Sequence, residues 1–311
     1  MTEMGRFLKK IGIYCAVLLI MLVALNYQYK RTLPPDYTDK FQDVPDNICV
    51  FNLGSSHGLC SFCYEGLESE GECFNFGMNS QTLSYDYRLL QQYEEKLTPG
   101  GVCFIVISYF SLLEDEENND NFEAKNARYY KFLDPRYIKQ YDLSTDIRVR
   151  YFPVLSSNEA LIGILTKKPS DVNQFELDWE RVANADEAVQ NAENAVLRHI
   201  GAYEKDGTWS FREEELNALE DIIIFCWERG IKAVMITTPY LREYNQRVPE
   251  EFKNYFTETI SRVSMKYGVE YYDYSGDDDF SENYELFMNS DHLNKTGAKK
   301  FTGMLWQNFV E

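Results

Sequence analysis

Histidine is scarce in this 311-residue chain: His57, His199 and His292 are all it has. They form no HExxH pair, which excludes a zincin-type metal helix. No glycine-rich phosphate loop and no GxGxxG fingerprint occurs, which excludes the usual nucleotide and dinucleotide cradles. Cys60 and Cys63 make one Cys-x-x-Cys without a second pair, so a four-thiolate zinc site is not expected. Asp277-Asp278-Asp279 lacks the spaced ligands and glycine of a calcium loop and reads as a solvated turn. No metal and no cofactor is therefore expected. Positive charge is also short, with 31 Lys and Arg against 50 Asp and Glu and a net charge of −19. Such a field repels polyanions, so nucleic acid is excluded as a partner. Internal repeats and low-complexity tracts are absent, and 44% hydrophobic with 15% aromatic residues exclude wholesale disorder.

What is present begins with a membrane signal. Ile11 to Tyr29 carries no charged residue, and Ile11–Leu25 is apolar almost throughout. A helix of that length spans about 28 Å, close to the hydrocarbon thickness of a bilayer. Arg6, Lys9 and Lys10 precede it and Lys30 and Arg31 follow. The short basic N-terminus, residues 1–10, favours a cytoplasmic start and an extracytoplasmic domain. No small-x-small site closes the run as a signal-peptide cleavage site would, so residues 11–29 read as a transmembrane anchor. Residues 30–46, with Pro34, Pro35 and Pro45, read as a stalk. Outside the membrane, Cys60, Cys63 and Cys73 leave a disulfide open, since spacing alone does not fix geometry.

From Asn47 onward, short apolar runs alternate with helical stretches. Strands are expected at Ile48–Leu53, Cys73–Phe76, Val102–Ile107, Lys232–Thr237 and Val269–Asp273. Helices are expected from near Ser56, and over Gln81–Lys96, Phe211–Arg229, Pro249–Tyr267 and Lys295–Phe309. Thr98-Pro99-Gly100-Gly101 should stop the second of these, and Ser210 with Glu213 has capping-box spacing for the third. Strands apolar on both faces, separated by helices, predict an α/β domain over 47–311 with a doubly wound parallel sheet. Residues 113–207 break the alternation. They open with Glu114-Asp115-Glu116-Glu117 and read as a helical insertion, with helices near Asp134–Tyr141 and Asp178–Ala202. The insertion is either a lid that shapes a substrate site or a peripheral elaboration.

The chemistry concentrates at two points. Gly54-Ser55-Ser56-His57 follows the first strand and opens a helix. A serine there exposes its hydroxyl at the sheet edge beside its own N–H, which suits a nucleophile whose intermediate is an oxyanion; the competing reading is a plain helix cap. His292 lies between the last strand and the last helix, in Asn289-Ser290-Asp291-His292-Leu293-Asn294. A general base needs an acceptor to hold its tautomer, and Asn289 and Asp291 are the candidates. His57 either approaches the serine or is a first-turn helix residue, the simpler of the two readings, and His199 reads as a structural one.

These blocks are recognisable. Gly54-Ser55-Ser56 resembles the first block of the SGNH hydrolases, Gly-Asp-Ser-Leu in the namesake, with Ser56 at the nucleophile's place. Asn75-Phe76-Gly77-Met78-Asn79-Ser80 resembles the second block, whose glycine N–H joins the oxyanion hole. Asp291-His292-Leu293-Asn294 with Gly297-Ala298 resembles the last, which carries the catalytic histidine. Ile236-Thr237-Thr238-Pro239-Tyr240, with Tyr244, is similar to a segment in relatives of the D-alanyl-lipoteichoic acid protein DltD, which share the anchor and the extracytoplasmic domain. The resemblance covers about residues 47–110 and 212–309, in the family's order. It implies a flavodoxin-like sheet, a Ser56–His292 pair oriented by Asn289 or Asp291, and an oxyanion hole of Ser56, Gly77 and Asn79. It further implies a serine O-acyl esterase or acyltransferase acting on cell-envelope polysaccharide or polymer, with a membrane-bound O-acyltransferase as partner. Two departures stand against activity and leave a non-catalytic, polymer-binding assembly factor as the alternative. Asn289 occupies the place of the family's triad aspartate, and the Gly-x-Asn-Asp block is missing, with Ser108-Tyr109 in that region. Of these two orienters Asn289 is favoured as the neighbour of the ring.

Overall fold

A computed structural model describes residues 3–32, 37–113, 122–155 and 179–311. The chain divides into two compact units, Met1–Gln42 with Glu123–Glu176, and Asp43–Phe122 with Leu177–Glu311. Pro34, Pro35, the acidic run Glu114–Glu117 and Asp178 lie outside the described residues.

The first unit is built on α1 (Glu3–Thr32), the one described helix long and apolar enough to cross a membrane. Its 30 residues reach about 45 Å at the usual rise. Part of the expected stalk is folded. Asp39–Gln42 forms a 3-10 turn, and the buried Phe41 stacks on Phe132 with ring centroids 4.1 Å apart. The expected helix at Asp134–Tyr141 is instead a single 3-10 turn, Pro135–Tyr137. The backbone leaves helical geometry at Ile138, which is extended (φ −94°, ψ 124°), and the Lys139 carbonyl beyond it accepts from the Asn126 side chain at 2.8 Å. A helix does form at Leu143–Asp146, running into a π-turn over Ile147–Tyr151.

The second unit holds a five-stranded sheet in the order β2-β1-β3-β4-β5: β1 (Ile48–Leu53), β2 (Glu72–Asn75), β3 (Leu97–Val106), β4 (Lys232–Thr237) and β5 (Glu270–Asp273). Every pairing is parallel, so the doubly wound, flavodoxin-like α/β sheet expected from the alternating pattern is the fold. The apolar strands are apolar because both faces are covered. Val50, Val102, Phe104, Val106, Val234 and Ile236 face a cluster containing Phe301, Leu305 and Trp306 of the last helix. Residues of the other parity, Phe51, Leu53, Cys103, Ile105 and Met235, are equally buried. The main helices are α2 (Ser56–Ser61), α3 (Leu83–Tyr93), α4 (Ala185–His199), α5 (Glu213–Glu228), α6 (Glu250–Tyr267) and α7 (Lys295–Phe309). Of the stretch expected as an insertion, 123–155 belongs to the first unit and 179–207 to the second.

Two local expectations change. Thr98-Pro99-Gly100-Gly101 lies within β3: Ile48 pairs Leu97 and Val50 pairs Val102, so the four residues bulge from the ladder. Gly100 has φ +84°, and a side chain at Gly101 would sit 2.5 Å from the Cys49 carbonyl oxygen, so glycine is needed there. Ser210 does not cap α5. The helix starts later, after Arg212, whose N–H is held by the Leu112 carbonyl at 2.8 Å, a tertiary bond that overrides the local motif. All five strands point one way, and the candidate site lies past the carboxyl end of β1, beside β3, where the strand order reverses.

Candidate active site

The turn after β1 is made tight by Gly54. It has φ +125°, and a Cβ there would lie 2.8 Å from Val106 Cβ on β3. Its N–H donates to Asp86 Oδ1 (2.9 Å) and its carbonyl accepts from the Met78 N–H (3.1 Å). Ser55 is buried and caps α2, its Oγ accepting from the His57 N–H at 3.3 Å. The capping role therefore falls on Ser55 and leaves the Ser56 hydroxyl free of it. Ser56, the first helical residue, is partly exposed and lies 2.8 Å through Oγ from His292 Nε2.

His292 sits in a turn organised by one side chain. Asn289 Oδ1 accepts from the Asp291 N–H (3.1 Å), the His292 N–H (2.8 Å) and His292 Nδ1 (3.1 Å). This Asx-type turn brings Asp291 back under the ring. Asp291 Oδ2 lies 3.4 Å from the same Nδ1. The two candidate orienters are thus both present. Asn289 has the better hydrogen-bond distance, and Asp291 has the charge.

Asp291 is 2% exposed, and three histidines surround it. His57 Nε2 is 3.2 Å and His199 Nδ1 3.9 Å from Oδ2. Ser290 Oγ donates to Oδ1 at 3.2 Å. The hydrogen-bond network assigns His57 its tautomer: Nδ1 accepts from Ser108 Oγ (2.8 Å), with Tyr240 OH also in reach (3.2 Å), so Nε2–H donates to the carboxylate. His199 Nε2 accepts from Arg198 Nη2 (3.2 Å), and its Nδ1–H faces Tyr244 OH (3.0 Å). Burial lowers the His57 pKa to about 4 and that of His199 to about 3, so both rings are neutral near pH 7. For Asp291 burial acts in the raising direction. The His292 charge and the hydrogen bonds from His292 and His57 outweigh it and hold the carboxyl well below the usual range. Neutral His57 supplies an N–H donor to the carboxylate without neutralising it, which leaves its charge facing His292.

The other two residues expected at the oxyanion hole, Gly77 and Asn79, differ in what holds them. Gly77 packs so closely on α2 that a Cβ would meet Leu59 N at 2.5 Å. Its N–H, however, donates to Asn75 Oδ1 at 2.9 Å. Asn75 in turn spans to the Leu59 carbonyl (3.0 Å) and accepts from Asn52 Nδ2 (2.9 Å), pinning the loop after β2 to α2. Asn79 is 7% exposed, and both polar atoms of its side chain lack hydrogen-bond partners among the described residues. A buried amide so left costs about 1–3 kcal/mol.

Sequence reasoning missed His57, His199, Ser108 and Tyr240 as parts of this network. The one available signal was the scarcity of histidine itself. Among the described residues, His57, His199 and Asp291 are the group with metal-ligand chemistry, their donor atoms lying within 4.8 Å of one another. The hydrogen bonds above already use those atoms. An apolar pocket of about 700 Å³, lined by Trp227, Ile231, Lys232 and Tyr267, contains none of the site residues.

No family model matches the chain, and no curated protein sequence does. Among solved structures, one from Streptococcus pneumonia provisionally described as a platelet activating factor is similar over 96% of this chain and 98% of its own, at 12% identity and a TM-score of 0.42. At that identity and score the likeness bears on neither activity nor substrate.

Proposed function

We propose that this chain is an SGNH-type serine esterase or acyltransferase of the DltD-like branch, anchored by α1, with its α/β domain outside the cytoplasm and cell-envelope polysaccharide or polymer as substrate. The observation that carries the reading is the 2.8 Å contact between Ser56 Oγ and His292 Nε2 at the carboxyl end of a parallel sheet. In the first step His292 takes the Ser56 proton as the oxygen attacks an acyl carbonyl. Asn289 fixes the Nδ1–H tautomer, and the Asp291 carboxylate, 3.4 Å away, stabilises the imidazolium that forms. The Ser56 N–H and the Asn79 amide receive the oxyanion. The Gly77 N–H joins them only by sharing its bond with Asn75. His292 then returns the proton to the leaving oxygen, and water or a polymer hydroxyl completes the second half. A membrane-bound O-acyltransferase partner would supply acyl groups for transfer.

The alternative, a polymer-binding factor without turnover, draws its force from Asn289 at the triad aspartate's place. Asp291 weakens that argument, because the missing charge is present one residue before the histidine. Retention of α1 as an anchor has its own support. Asn26 near its end is buried and bonded to Tyr151 and Val154, contacts that a cleaved leader would not provide. The test is release of nitrophenol from p-nitrophenyl acetate by the purified protein and by Ser56→Ala. Turnover by the parent alone upholds the reading, and equal rates reject it.

A further inference from the structure

The first unit carries a row of large apolar side chains in solvent. Leu143, Ile147, Tyr151 and Leu155 recur every fourth residue and are 62%, 43%, 62% and 41% exposed. Over the helical turns Leu143–Asp146 and Ile147–Tyr151, that spacing keeps the first three on one side. The remainder of the segment is fixed from within. Arg150 pairs with the buried Asp146 and also donates to the Leu133 carbonyl, and Val154 is fully buried. The apolar row is therefore held on a structured element.

That element is tied to α1. Pro153 ends the π-turn and leaves backbone groups without helical partners. Asn26 satisfies two of them: its Nδ2 donates to the Tyr151 carbonyl at 2.8 Å, and its Oδ1 accepts from the Val154 N–H at 3.3 Å. Val154 packs with Tyr29 and Leu22. Leu22 belongs to the apolar run Ile11–Leu25. If that run occupies a bilayer, Val154 lies at the depth of its last turns, and the Tyr151 backbone, bonded to Asn26 one residue beyond the run, lies at the boundary with the headgroups. Arg148 stands exposed beside the row, and Lys30 and Arg31 end α1. Basic side chains flanking a row of Leu, Ile and Tyr match an interfacial element, whose apolar side chains enter the boundary layer while cations meet phosphate.

We propose that residues 143–155 form a membrane-docking element, which inserts Leu143, Ile147, Tyr151 and Leu155 into the bilayer face at the carboxyl end of α1. The proposal rests on the anchor reading above and adds a second point of membrane contact, so that the first unit lies against the bilayer instead of standing off it. Site-specific photocrosslinking tests it on the full-length protein in phospholipid vesicles. The photoreactive residue p-benzoylphenylalanine replaces Ile147, Tyr151 or Leu143, all exposed positions where folding tolerates it, and Leu18 serves as reference within the span. After irradiation, phospholipid adducts are counted by mass spectrometry. Adduct yields at 143, 147 and 151 within about threefold of Leu18 are expected if the row is inserted. Adducts at Leu18 with none at the three positions overturn the docking element and leave the anchor standing. No adduct at Leu18 overturns both.

Discussion

Replacing Asp291 by asparagine separates charge from orientation at His292. The substitution keeps the volume and leaves Asn289 Oδ1 on Nδ1 at 3.1 Å, but removes the negative charge 3.4 Å from that nitrogen. At an effective dielectric of 20, a unit pair at this separation interacts by about 5 kcal/mol. Expressed wholly in the transition state, that is between about 10³ and 10⁴ in rate. The loss of a triad carboxylate in a serine protease of another fold costs about 10⁴-fold in turnover. The expected fall in kcat for Asp291→Asn is therefore about 10³-fold with KM nearly unchanged, because the acid touches only the base. Steady-state hydrolysis of p-nitrophenyl acetate measures it, with circular dichroism as the folding check. Asn289→Asp is the companion variant. It sets a second carboxylate beside a buried one, so one of them must protonate, and no gain in turnover is expected. Asp291→Asn within tenfold of the parent, or Asn289→Asp faster than the parent, would refute the division of labour between the two residues.

Asn79→Ala should lower kcat by about 10²–10³, the usual effect of one oxyanion donor, while leaving stability equal or higher because a buried unpaired amide is removed; parent-like turnover would assign Asn79 no catalytic role. Ser55→Ala should lose about 1 kcal/mol in urea unfolding through the lost cap and keep its activity, since the proposed nucleophile is Ser56; an inactive, well-folded Ser55→Ala would shift the motif by one residue. Stability should depend on pH between 6.5 and 4. His57 and His199 have folded pKa values of about 4 and about 3, so the unfolded chain binds their protons first as pH falls. Their contribution is complete above pH 6.5 and is lost on acidification, about 3 kcal/mol each by pH 4. His199→Gln should remove one proton from that slope in urea midpoints followed by tryptophan fluorescence, and an unchanged slope would count against the buried neutral assignment.

The sheet was readable because its central strands are buried on both faces. Ile48–Leu53 and Lys232–Thr237 are apolar without alternation, and the structure begins and ends both where the pattern does. Elements that depend on tertiary partners were not readable. The capping box at Ser210 loses to a backbone bond from Arg212 to Leu112, and the expected helix at Asp134–Tyr141 stops after one turn at Ile138, where the backbone is extended. At the site, Ser56 and His292 stand out by motif order. The layer behind them does not, because His57, His199 and Asp291 come from α2, α4 and the last loop and meet only in three dimensions. The choice between Asn289 and Asp291 looks exclusive in sequence because neighbouring loop side chains usually diverge. Asn289 removes the conflict by folding the turn on itself, accepting from the Asp291 and His292 N–H groups and bringing Asp291 to the same nitrogen.

The central claim is that the Ser56 hydroxyl is a nucleophile activated by His292. Labelling of the full-length protein with an active-site serine phosphonate, followed by peptide mapping, tests it most directly. The account predicts one adduct per chain, on Ser56, abolished in His292→Ala although the hydroxyl remains. Absence of labelling in the folded parent, or equal labelling after loss of His292, would contradict it.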